Sequence, residues 1–186
     1  MDNPLVIVLL IALVAAIGAG IWLYMRNRQT AALQDRFGPE YDRALSEHRD
    51  QRQAERDLRE REERVDHLNI RPLDREERDR FADRWQTVQA QFVDDPAAAT
   101  DDADHLVGEV MAERGYPVGD FEQRAADVSV NHPRVVEHYR AAHEIALRNA
   151  RGNADTEELR QALVHFRVLF EELLEVEAPA RTEARR

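Results

Sequence analysis

The chain has 186 residues, no cysteine and a formal net charge of −11, with 34% charged and 6% aromatic residues. Without thiols it can carry no disulfide, Cys-ligated zinc, iron–sulfur cluster, thiolate nucleophile or Cys-linked lipid. A surface this acidic repels nucleic acid, which sets the DNA- and RNA-binding classes aside.

Leu5 to Met25 reads LVIVLLIALVAAIGAGIWLYM, an apolar run without a charge. Spanning the hydrocarbon core of a bilayer takes about 20 such residues in a helix. The run is therefore expected to be a single-pass anchor, with residues 1–27 as the anchor segment. A signal peptide would need a basic n-region and a shorter apolar core, whereas this n-region is Met-Asp-Asn-Pro. Trp22 and Tyr24 suit the interface. Arg26 and Arg28 follow them, so the positive-inside rule places the N-terminus outside and the remainder in the cytoplasm of a plasma-membrane protein. Ala12, Ala16 and Gly20 recur every fourth residue, a spacing that lets two membrane helices pack closely. A homodimer through this face is one alternative; the other is ordinary small-residue content.

After the anchor the helix is expected to run on to Phe37, where Gly38-Pro39 interrupts it. Pro39 then opens a second helix to about Leu68. Charged residues dominate this helix, and Glu55–Arg59, Asp57–Arg61 and Glu60–Arg64 are acid-before-base pairs at i,i+4. Its heptad register through Phe37, Tyr41, Ala44, His48, Gln51, Glu55, Leu58, Glu62 and Val65 is apolar only at its ends. Residues 28–70 thus read as a charged helical stalk, with a weak coiled coil as the alternative.

Asn69-Ile70-Arg71-Pro72 marks a boundary. Asp74 and Glu77 form a capping-box pattern ahead of a stripe of Phe81, Trp85, Val88 and Phe92. Asp95-Pro96 starts the next helix, whose stripe is Ala99, Ala103, Leu106, Val107, Val110 and Met111, with Gly115 as its stop. A turn over Tyr116–Asp120 leads to a short helix around Phe121–Val128, and Asn131-His132-Pro133 breaks the chain again. Val135, Val136, Tyr139, Ala142, Ala146 and Leu147 line the following helix. Asp155 and Glu158 cap the last one, striped by Leu159, Leu163, Phe166, Phe170, Leu173 and Leu174. No strand pattern occurs. The fold class is all-α: an N-terminal transmembrane helix, a charged helical stalk, then an antiparallel helical bundle over residues 71–176 and a polar tail over 177–186.

Catalytic constellations do not emerge. His143-Glu144 opens like HExxH, but Leu147 stands at the second ligand position. His138 and His143 fall on different sides of one helix, and Glu-x-x-His pairs for a di-iron centre are missing. His132, His138, His143 and His165 could converge from two helices, against the commoner reading of hydrogen-bonded core histidines. Ser46 and Ser129 sit in no nucleophile elbow, and Gly115 and Gly119 belong to no phosphate loop. No catalytic, metal or cofactor residue is assigned, and no cofactor is expected. The segment Arg114–Arg134 is the most specified, and Tyr116, Phe121 and Arg124 are its candidate partner-binding residues. The competing reading has Tyr116 and Phe121 plug one end of the bundle.

The phrases RGYPVGDFEQRAADVSV and HPRVVEHYR, within residues 70–175, resemble a group of uncharacterised single-pass bacterial membrane or secreted proteins. The resemblance implies a helical domain tethered by a variable stalk and transfers no activity. The expectation is a membrane-anchored, non-catalytic interaction or scaffold protein that touches the bilayer through residues 5–25 and holds an unidentified protein partner. The alternatives are a ligand- or metal-binding bundle with enzymatic activity, and the same fold facing the envelope.

Overall fold

Gly38 and Pro39 set the first helix boundary. In a computed structural model, which describes residues 4–175, α1 spans Pro4–Phe37 and ends where Gly38 takes φ +48°. Pro39 then lies in the first turn of α2, Pro39–Glu47. The side chains of residues 4–12, Ala15 and Trp22 lie outside the described residues, as does the expected tail over 177–186. Among the described residues no helix is long and apolar enough to cross a membrane. Within the apolar run only side chains between Leu13 and Met25 are described, fewer than the about 20 a spanning helix needs.

The expected single helix from Pro39 to Leu68 is broken. α2 stops at Glu47, and α3 covers Gln51–Asp66. His48 leaves the helical region at φ −104°, ψ 154°, and its Nδ1 lies 2.9 Å from the Ala44 carbonyl. Asp50 Oδ1 accepts from the Gln53 amide at 3.0 Å and so caps α3. The chain divides into two compact units, residues 1–58 and 59–186.

In the first unit Leu33, Phe37, Tyr41, Ala44, Ala54 and Leu58 are buried. The polar positions that spoil the heptad have a use there. Glu55 Oε1 accepts from Thr30 Oγ1 at 2.8 Å, Tyr41 Oη at 3.2 Å and Gln51 Nε2 at 2.7 Å. One carboxylate thereby ties α1, α2 and α3 together.

The second unit contains the bundle: α4, Arg75–Gln91; α5, Pro96–Glu113; α6, Phe121–Asn131; α7, Val136–Asn149; and α8, Thr156–Glu175. The described residues hold eight helices and no strand. α8 packs on α5 and α7, α4 on α5, and α6 on α7. Both capping boxes form, with reciprocal bonds between Asp74 and Glu77 and between Asp155 and Glu158. The expected stripes meet in one core that includes Phe81, Trp85, Val110, Tyr139, Phe166 and Leu173, with Trp85 stacked on Phe170 at 4.7 Å. Leu147 departs from the α7 stripe: it is exposed, and Ile145 takes the core position three residues after Ala142.

Candidate functional site

Pro133 shapes the α6–α7 corner. Because it disfavours helix in the residue before it, His132 leaves the helix at φ −129°, ψ 53°. Its backbone is held from both sides. The His132 amide donates to the Val128 carbonyl at 2.8 Å, and its own carbonyl accepts from the amides of Val135 and Val136. The imidazole is thereby fixed inward and is 3% exposed.

Nδ1 of His132 lies 3.2 Å from Glu172 Oε1 on α8, while Nε2 is buried without a partner. Desolvation by burial pushes the His132 pKa down, and the Arg114 charge adds to that; Glu172 opposes both. The ring is accordingly neutral at neutral pH. Assigning its proton to Nδ1, where Glu172 accepts it, leaves a lone pair on Nε2. A cavity of about 350 Å³ adjoins this pair, lined by Asn131, His132, Pro133, Arg134, Val135 and Glu172. Nε2 itself is shut off from solvent, so the arrangement holds its lone pair away from the cavity. It lacks a nucleophile, because Ser129 is buried and donates to the Ala126 carbonyl of its own helix.

This titration has a consequence for stability. A second proton on His132 would land on a buried nitrogen without an acceptor, so the unfolded chain binds that proton more readily than the folded one. The stabilising contribution is present above the ordinary histidine pKa of about 6.5 and is lost as pH falls through the lower, folded value. Urea midpoints measured at pH 7.5 and 5.5 should fall towards acid, and His132→Gln should flatten that slope. An unchanged slope in the variant would remove His132 as its source.

A second polar cluster lies between α5, α6 and α7. Phe121 stacks on His143 at 3.6 Å and tilts against Tyr139 at 4.8 Å. His143 Nδ1 stands 3.6 Å from Asp104 Oδ2, beyond a direct hydrogen bond. Tyr139 Oη, Asp104 Oδ1, Arg124 Nε and His143 Nδ1 are all buried without a partner. Burial drives the Tyr139 pKa upward, so the phenol stays protonated.

Of the three candidate partner-binding residues, Tyr116 is 2% exposed, and its hydroxyl accepts from Asn131 Nδ2 at 3.2 Å. Its ring belongs to the bundle core. Phe121 is half-buried against the core, and Arg124 is half-buried beside Gly108. The four histidines do not converge on one point. His132 meets Glu172, His143 meets Phe121 and Asp104, and only His138 and His165 meet each other, at 2.8 Å between Nδ1 atoms. Among the described residues no group of three or more His, Asp or Glu side chains is placed to hold a metal ion. In the first unit Ala16 and Gly20 are exposed, with nothing near a Cβ built on Gly20; the side chain of Ala12 lies outside the described residues.

Sequence reasoning missed Glu172 and Arg114. The first hides among the exposed acids of α8, and the second is an arginine 1% exposed. Compared with known proteins, the chain matches no family model, no curated protein and no solved structure.

Proposed function

We propose that this is a single-pass, membrane-anchored helical protein without catalytic activity, which presents its α4–α8 bundle to a protein partner at the bilayer. One observation carries the reading. Leu13, Val14, Ile17, Ile21, Leu23, Tyr24 and Met25 are each more than half exposed. At about 100° per residue, Leu23 and Met25 fall on nearly opposite sides of α1. An amphipathic helix would bury one stripe and show a polar back; a helix apolar on all sides needs an apolar surrounding. Lipid supplies one, and the sequence run back to Leu5 gives the length the bilayer requires. Anchoring raises the effective concentration of the bundle for a second membrane-bound protein. The exposed Ala16 and Gly20 leave a face on which a second copy can pack. Arg26 and Arg28 favour the N-terminus outside and the bundle in the cytoplasm.

Alkaline extraction and thiol labelling test this together. Ser46 and Val93 are exposed, so Ser46→Cys and Val93→Cys each give a single reactive thiol in a chain without cysteine. The protein should stay with the membrane through the alkaline wash. Both thiols should resist an impermeant maleimide in intact cells and react after permeabilisation. Release into the wash would overturn the anchor, and labelling in intact cells would place the bundle in the envelope.

A further inference from the structure

The α7–α8 seam brings two imidazoles together that the reading above does not use. His138 lies in the first turn of α7 and His165 in the middle of α8. Their Nδ1 atoms are 2.8 Å apart, and their ring centres are 5.1 Å apart at 34°. The next residue in each helix fixes this register. Tyr139 and Phe166 are both fully buried and meet edge-on at 6.5 Å, so the two histidines project side by side from a packed seam. Both rings are only half-buried, which leaves solvent access.

We infer that His138 and His165 form a two-nitrogen site for a late first-row transition cation of the Zn²⁺ or Cu²⁺ class, bound through their Nδ1 atoms. Imidazole nitrogen is a preferred donor for these ions, and helices α7 and α8 hold the pair ready without a loop to order. The geometry fits. With metal–nitrogen bonds of about 2.0–2.1 Å in a tetrahedral arrangement, two imidazole ring centres stand about 5 Å apart and their donor atoms about 3.3 Å apart. The ring centres are already at that separation. Each ring need only turn so that both lone pairs aim at a common point.

Without metal, one Nδ1 carries the proton that the other accepts. A proton on both would set two N–H groups head to head, in keeping with the lowered pKa of His165, which desolvation causes first and His138 second. Binding moves the donor ring's proton from Nδ1 to Nε2 through solvent. Both Nδ1 lone pairs then become available. No further ligating cluster is present among the described residues, so water completes the shell. The site is therefore open and exchangeable rather than a structural centre.

The test uses the full chain in detergent, purified through a tag without histidine, and does not depend on the anchor. Zn²⁺ is titrated in competition with a chromophoric chelator, and Cu²⁺ is followed by electron paramagnetic resonance. One equivalent should bind, and the Cu²⁺ spectrum should show coupling to two nitrogens. His138→Gln and His165→Gln should each weaken Zn²⁺ binding more than about tenfold, since loss of an outer-shell partner alone costs 10–100-fold. His132→Gln and His143→Gln should leave it unchanged. Equal binding by the doubly substituted chain, or equal loss in the His132 and His143 variants, would overturn the assignment. Should the seam variants lose helicity, the unsubstituted chain still decides: a Cu²⁺ spectrum without two-nitrogen coupling refutes the site.

Discussion

Arg114→Ala is expected to destabilise the bundle by about 2–4 kcal/mol, since it strips buried carbonyls of a charged donor, at about 1–3 kcal/mol for each acceptor left unsatisfied, and opens a cavity. Arg114 is 1% exposed at the C-terminal end of α5. Its Nη1 donates to the Leu173 carbonyl at 2.8 Å, and its Nε donates to the Arg71 carbonyl at 3.3 Å. Leu173 lies on α8, so this bond joins the end of α5 to that helix. The guanidinium therefore ties α8 to the 69–72 loop and fills the space between them. Desolvation lowers its pKa, yet an arginine in this setting stays charged. Alanine would leave the carbonyls without those bonds and a cavity beside them. Lysine keeps the charge but cannot reach two carbonyls on different elements with a planar fork, so Arg114→Lys should lie between wild type and alanine. Urea unfolding followed by Trp85 fluorescence in a Trp22→Phe background reads the effect, because Trp85 stacks on Phe170 of α8. A loss in the alanine variant below about 1 kcal/mol would show that the contact is replaced by water at little cost.

The features legible in the sequence are those that act within a few residues. Asp74 with Glu77, Asp155 with Glu158, and Pro after Asp95 announce helix starts because the bonds they make span three residues. The apolar stripes of α4, α5 and α8 are legible for the same reason. The break at His48–Asp50 was also local, since Asp50-Gln51-Arg52-Gln53 carries the D-x-x-Q form of a capping pattern. Dense charge on either side masks it, and the heptad register runs straight through it. Glu55 shows what such counting misses: a polar residue at a core position is a fault in a coiled coil but a hub when Thr30, Tyr41 and Gln51 converge on it.

The candidate sites are tertiary and were not legible. His132 meets Glu172 across 40 positions, and His138 meets His165 across 27. Periodicity places each histidine on a face of its own helix, but the slide of one helix along another is fixed only when the core packs. Arg64 makes the same point. Its expected local partner was Glu60, yet its Nε donates at 2.8 Å to Asp127, a fully buried carboxylate 63 positions away.

Gly115→Ala should cost about 3–5 kcal/mol, and Gly152→Ala only about 1–2 kcal/mol, although both residues end helices with φ in the left-handed region. Their local motifs are alike. At α5 the Tyr116 amide bonds to the Met111 carbonyl and the Gly115 amide to that of Ala112; at α7 Asn153 and Gly152 bond likewise to Arg148 and Asn149. The left-handed conformation accounts for the smaller cost at both sites. The surroundings account for the difference. A Cβ on Gly152 would meet nothing within 4 Å, whereas one on Gly115 would stand 2.5 Å from the Asn69 carbonyl oxygen. That oxygen is backbone and cannot swing aside. The 69–72 loop would have to move, and with it the bond from the Arg71 amide to the Arg114 carbonyl at 2.9 Å and the return bond from Arg114 Nε. Alanine at 115 thus strains the turn and loosens the loop that Arg114 grips, so its effect should not add fully to that of Arg114→Ala. Denaturation of the two single glycine variants and of Gly115→Ala/Arg114→Ala measures all three terms. Equal losses for Gly115→Ala and Gly152→Ala would mean that the close approach of the loop contributes nothing beyond the turn itself.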